Sequence, residues 1–303
     1  MKYKSIILFI VMLASMLLLT ACNTQQQTNQ PKGIYIGGTL GIVAKFQPFG
    51  VTEDNIYSIY DSETFPIETT FTNKGEYEIK PGDVTIKLLG PSEKEFSGIA
   101  NWELKNKDTV EKISELTPNG GEETLSFASD AKYLSPVTGA IQRAWFANIE
   151  YKYQTYAIVP EVCLKEDLTD KRVCEVKDPK KAVSVSGAPI TITNVEEDTS
   201  GKGIMALKFK IKNVATGKVA LPAEDFSPNL DKLSFSLDDS AWECKSTGKI
   251  NEARLINGEA EIVCKLKEAL AKGALSTTQV KLTLDYKYRD IISEKIQIKQ
   301  SVK

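Results

Sequence analysis

Groups of adjacent carboxylates, five cysteines and an absence of histidine bound the chemistry open to this chain. With no histidine, Ser-His-Asp and Cys-His catalysis, His-ligated zinc and histidine pH switching are excluded. Carboxylate-only chemistry, as in glycosidases, survives that test. Among the adjacent acids, Glu122-Glu123, Glu196-Glu197-Asp198 and Asp238-Asp239 each stand beside Gly, Ser or Thr as turn residues do. Hard oxygen ligands of this kind could take Ca²⁺, but none has the pattern of an EF-hand loop. Serine-rich spots lack a GxSxG elbow. Gly37-Gly38 and Gly41 are followed by no βαβ unit, so they make no dinucleotide fingerprint. The expectation is a protein that is not an enzyme, with no catalytic residue, no metal and no cofactor.

The cysteines need their setting first. Lys2 and Lys4 lead an apolar run from Ile6 to Leu19, which ends in Leu19-Thr20-Ala21-Cys22. A basic start, a short apolar core and small residues before a cut site describe a secretory signal. The run falls short of the roughly 20 apolar residues of a spanning helix, although an uncleaved anchor is the alternative. The Leu-Thr-Ala-Cys ending resembles the lipobox of prokaryotic lipoproteins. That resemblance implies cleavage before Cys22, lipid on its thiol, and a place outside the cytoplasm on the cell membrane. Residues 1–21 are then a signal peptide and 22–33 a lipidated cysteine with its tether, since Asn23 to Lys32 offer nothing apolar to bury. A flexible chain of that length reaches roughly 15–20 Å.

With Cys22 set aside, Cys163, Cys174, Cys244 and Cys264 remain, an even number that outside the cytoplasm reads as disulfides. Three pairings are possible. The expected one is local, Cys163 with Cys174 and Cys244 with Cys264, because short loops close most readily. Four cysteines without CxxC spacing make a poor zinc site. The first pair flanks Leu164 to Val173, a charged segment that reads as a pinned loop and a candidate place for a partner.

Composition is that of a folded protein, 42% hydrophobic and 26% charged. Without Lys2 and Lys4, 36 basic residues face 40 acidic ones, a balance that gives no reason to bind nucleic acid and no polybasic patch for anionic lipid. After the tether the texture is β throughout. Ile67, Thr69 and Phe71 alternate with polar neighbours, as do Val84, Ile86 and Leu88, then Ile149, Tyr151 and Tyr153. Later come Leu207, Phe209 and Ile211, then Leu233, Phe235 and Leu237, then Leu282, Leu284, Tyr286 and Tyr288. Period-2 alternation means one face buried and one wet, as in packed antiparallel sheets. Two short helices are expected in connections, at Leu266–Lys272 and around Val110, Ile113 and Leu116.

The chain contains itself twice. Phe71-Thr72-Asn73-Lys74-Gly75 is answered by Ile211-Lys212-Asn213 and Gly217. Trp102-Glu103-Leu104-Lys105 is answered by Trp242-Glu243-Cys244-Lys245, and Asn119-Gly120 by Asn257-Gly258. Ile149-Glu150-Tyr151-Lys152-Tyr153 is answered by Leu284-Asp285-Tyr286-Lys287-Tyr288. Matches in one order at nearly constant offset read as a tandem duplication of one β-domain. The expected organisation is all-β: two immunoglobulin-like antiparallel β-sandwiches over 34–178 and 183–303, with Trp102 and Trp242 covering the two cores in equivalent places.

The opening run Ile34-Tyr35-Ile36-Gly37-Gly38, then Gly41 to Phe46, Phe65-Pro66-Ile67 and Thr72-Asn73-Lys74-Gly75, resembles archaeal cell-envelope proteins. These are built from tandem Ig-like domains of the CARDB sort, cell-adhesion-related domains found in bacteria. The resemblance implies seven-stranded sandwiches and a surface or adhesive context, and carries no catalytic residues. In the second copy Val214-Ala215-Thr216 stand between Asn213 and Gly217, so the turn length there is open. The reading that follows is a non-catalytic, lipid-anchored envelope protein, a binding, adhesion or scaffold module. Its expected partners are the membrane, through Cys22, and another envelope or surface protein, with glycan second. The alternative is an accessory or substrate-binding lipoprotein of a transporter or secreted enzyme, which would need a concave apolar pocket.

Overall fold

A computed structural model describes residues 34–170, 172–174, 176 and 180–302. The signal segment, Cys22 and the tether lie outside the described residues. In the first copy the strands are β1 (Ile42–Phe46), β2 (Val51–Glu53), β3 (Ile56–Tyr60), β4 (Thr64–Asn73), β5 (Val84–Gly90), β6 (Phe96–Ser97), β7 (Glu103–Lys105), β8 (Glu122–Tyr133) and β9 (Ala140–Lys165). In the second they are β10 (Ser184–Val185), β11 (Ile190–Gly201), β12 (Ile204–Asn213), β13 (Lys218–Ala220), β14 (Asp231–Leu237), β15 (Trp242–Ser246), β16 (Lys249–Ile250), β17 (Glu252–Leu255), β18 (Glu259–Leu266) and β19 (Leu275–Lys299).

The chain is all-β and its sheets make sandwiches. The first copy has an outer sheet in the order β1-β4-β8-β6, and the second repeats it as β11-β12-β18-β15, with β16 added at the edge. Each copy also supplies three main strands to an inner layer, β7-β5-β9 and β17-β14-β19, beside which the short strands β2, β3, β10 and β13 are paired. Alternate residues of both layers, such as Ile67, Phe71, Ile86 and Tyr153, are fully buried in one core. The count of four strands against three is that of a constant-type immunoglobulin domain, but the order is not. β8 pairs with β4 and β18 with β12 in the outer sheets, while β9 pairs with β5 and β19 with β14 in the inner layer.

The two inner layers are one sheet. β9 and β19 pair antiparallel along their whole length, from Ala140↔Lys299 to Lys165↔Leu275. Residues 34–303 accordingly form a single compact unit, and the boundary expected between 178 and 183 does not divide it. The register shows why. Lys152 faces Lys287, its own duplicate 135 residues on, while Tyr151 faces Tyr288 and Tyr153 faces Tyr286. An antiparallel pair of duplicates in which one residue faces its own copy is related by a two-fold axis passing between the two, as in an isologous dimer. All four tyrosines are buried and their rings touch around the axis, with centroid separations of 5.5 Å for Tyr151–Tyr288 and 6.3 Å for Tyr153–Tyr286.

The repeated asparagine serves this centre. Asn73 donates from Nδ2 to the Tyr77 carbonyl (2.7 Å), and its Oδ1 accepts from Gly75 N–H (3.2 Å) and the Tyr153 hydroxyl (3.2 Å). Asn213 does the same with the Gly217 carbonyl (2.9 Å), Ala215 N–H (3.2 Å) and the Tyr288 hydroxyl (3.1 Å). The turn therefore has one length in both copies. Gly75 matches Ala215, and Gly217 matches Tyr77. Gly217 is glycine for its own reason: a Cβ there would stand 2.3 Å from the Tyr288 ring and from the Arg289 carbonyl.

Two further expectations are corrected. Trp102 and Trp242 are not equivalent. Trp102 leads into β7, which pairs with β5 in the shared sheet, and its ring stacks on Trp145 at 6.0 Å. Trp242 begins β15, which pairs with β18 in the outer sheet, and is buried. A Trp-Glu-x-Lys alternation suits any half-buried strand, so the match carried no positional information. Neither expected helix forms. Leu266 closes β18 opposite Trp242, and Leu270 N–H bonds the Gly203 carbonyl. Val110 bridges Ile79 instead of starting a helical turn. The helix among the described residues is a single 3₁₀ turn, Glu93–Glu95.

Candidate binding surface

The pinned segment after β9 is built as expected from its ends and differently inside. Cys163 and Cys174 are bonded, with Cα atoms 5.8 Å apart. Cys244 and Cys264 are bonded directly across β15 and β18. Two formed disulfides belong to an oxidising, extracytoplasmic compartment.

Lys165, the last residue of β9, sends its side chain into the first loop. Its side chain is buried, at 1% exposure, and its ammonium donates to the carbonyls of Asp170 (2.8 Å) and Cys174 (2.6 Å). A buried ammonium holding two carbonyls folds the loop back on itself. Hydrogen bonding from Arg172 pulls the Asp170 carboxyl down to about 2, and Thr169 holds Asp167 below its usual range. Leu168 and Val173 are left exposed among these charges.

Three loops meet at this end. Glu166 accepts from Gly273 N–H (3.3 Å) and pairs with Lys202 (3.2 Å), and its N–H bonds the Ala274 carbonyl. The Gly273 amide, then Lys202, lower its pKa. The stapled loop, the turn between β11 and β12 and the turn before β19 are thus cross-braced. Loops gathered at one end of a sandwich are the usual place for such a fold to bind.

The adjacent acids lie mostly in strands and are in use. Glu123, in β8, accepts from the N–H groups of Lys107 and Asp108. In β11, Glu196 pairs with Lys210 and Asp198 with Lys208. Buried Glu197 accepts from Cys163 N–H (2.6 Å) and stands 2.8 Å from Lys181 Nζ. Asp238 and Asp239 brace turns by accepting from Lys281 and Ala241 N–H. Among the described residues no group of three or more acids or cysteines is placed to hold a metal ion.

A separate cleft of about 520 Å³ lies beside the second asparagine corner, lined by Asn213, Lys218, Asp231, Arg254 and Asn257. Its walls are polar and charged, unlike the apolar pocket of a small-molecule carrier. Sequence reasoning found the stapled loop from its cysteines. It missed Lys165, whose pattern is that of any exposed lysine, and Glu166, whose partners lie far away in the chain. No protein-family model and no curated protein matches the chain.

Proposed function

We propose that this is a non-catalytic, lipid-anchored protein of the cell envelope that presents the braced loop end to another envelope or surface protein. The observation carrying the reading is Glu166, which ties three loops together with Leu168 and Val173 exposed beside it. Loops already tied together lose less freedom when they bind. The Leu-Thr-Ala-Cys ending supports lipid on Cys22, and the formed disulfides suit the same side of the membrane.

Two measurements test it. Labelled fatty acid should be incorporated by the chain and lost in Cys22→Ser. Crosslinking in cells, read by mass spectrometry, should give reproducible links from the Leu164–Val173 loop to one envelope protein, weakened by Leu168→Asp with Val173→Asp. Links spread evenly over abundant surface proteins, unchanged in the double variant, would remove the partner-binding role.

A further inference from the structure

Along β19 the outward face of the shared sheet carries more cations than acids. Val280, Leu282, Leu284, Tyr286, Tyr288, Ile296 and Ile298 of β19 are buried, so the alternate positions point outward. Those positions include Lys281, Asp285, Lys287, Arg289, Lys295 and Lys299, five cations and one acid. From Lys281 to Lys295 the stripe runs for roughly 46 Å at ~3.3 Å per residue. Arg289 pairs with Glu150 (2.6 Å), Lys299 with Glu53, and neighbouring Lys152 with Asp83 (3.0 Å). Among the described residues, Lys281, Lys287 and Lys295 make no ion pair; Lys281 lies over the Tyr156 ring at 4.3 Å and Lys287 over Phe226 at 5.5 Å. The stripe stands out in a chain that, from Cys22 on, carries more acids than bases.

The chain enters the folded body on this side. The Tyr35 ring stacks on Tyr156, which lies on the outward face, with centroids 6.2 Å apart. Its N–H donates to Ser184 Oγ (3.3 Å), and Ile34 before it is exposed. Phe146 and Ile291, 42% and 57% exposed, stand on the same face.

We propose that this face lies on the anionic headgroup surface of the membrane that holds the chain. The proposal takes its membrane from the lipid-anchor reading, while the affinity itself belongs to the folded body. A tether of residues 22–33 reaches roughly 15–20 Å from its entry at this face. That puts Lys281, beside the entry, within about two Debye lengths of the surface, and laying the face flat brings Lys287 and Lys295 to it. Lysines beside an anionic leaflet are attracted to it, and two exposed apolar side chains add interfacial contact. Both outer sheets are then turned away from the membrane.

The test uses the chain from Asn23, which keeps the whole compact unit and both disulfides. It is floated with vesicles of phosphatidylcholine alone or mixed with phosphatidylglycerol. Binding is expected to the mixed vesicles only, removed by high salt, and at least roughly tenfold weaker in Lys281→Glu with Lys287→Glu and Lys295→Glu. A control of equal charge change, Lys210→Glu with Lys212→Glu and Lys265→Glu on the far outer sheet, should bind as the parent does. Thermal unfolding confirms that both variants are folded. No binding, equal binding to neutral vesicles, or equal loss in the control overturns the proposal. Lack of fatty acid on Cys22 would remove the anchor and leave the vesicle result standing, so the two failures are distinguishable.

Discussion

Asn73 and Asn213 each hold a turn and a tyrosine hydroxyl with one side chain. Replacing Asn73 with alanine would leave the Gly75 N–H and the Tyr153 hydroxyl without that acceptor beside the core. Buried polar groups stripped of a partner cost about 1–3 kcal/mol each, so Asn73→Ala is expected to lower unfolding free energy by roughly 2–4 kcal/mol in urea titrations. The tyrosines set a pH limit as well. Burial pushes the Tyr288 hydroxyl up to about 12, and burial raises those of Tyr151, Tyr153 and Tyr286 too. A folded pKa above the unfolded value near 10 favours the protonated, native form. This contribution is intact below about pH 10 and lost as pH climbs through the folded pKa. Stability should hold up to about pH 9 and fall steeply between pH 10 and 12, with tyrosinate absorbance rising together with unfolding. Ionisation of these tyrosines in a chain still folded would contradict that. The asparagines were legible as a repeated Asn before glycine. Their matching glycine was not, because Gly75 and Gly217 are fixed by close approach at different turn positions.

At the scale of elements, β9 and β19 decide the architecture. Each is flanked on one side by the other for its full length. On the far side β9 meets β5 and β10, and β19 meets β14, β13 and finally β3, which runs parallel to it. The first copy expressed alone, residues 34–176, would expose the whole edge of β9. Long unpaired edges recruit strands. Light scattering should therefore give a dimer or larger species, and a stable monomer at micromolar concentration would count against the edge. Sequence alternation placed strands at Ile149–Tyr153 and Leu282–Tyr288 without showing that the second runs on to Lys299. The reason lies at Asp290 and Glu294, inward positions where the apolar pattern lapses on either side of Ile292 while backbone pairing continues.

For the whole molecule, the all-β class, the duplication and both disulfide pairs could be read from residues alone. Period-2 burial and short cysteine loops are local signals. The union of the copies was not readable, since pairing between residues 135 apart leaves no local trace; only Tyr-Lys-Tyr facing its own duplicate reveals it, and only once the register is known. The basic stripe was hidden in the same way. Whole-chain charge averages Lys281, Lys287 and Lys295 against acids such as Glu243, Glu259 and Glu261, which stand on the other sheet. Composition counts charges; strand alternation sorts them by face.

The two-fold centre at Lys152 and Lys287 also frees the protein from mass action. Separate subunits meeting at such an interface would come apart on dilution, because their association depends on concentration. Here the second partner is supplied covalently, at an effective concentration that does not change with how many molecules are present. Whether scarce or abundant, each chain arrives already paired, and a ligand that needs both halves meets them in a fixed ratio of one to one.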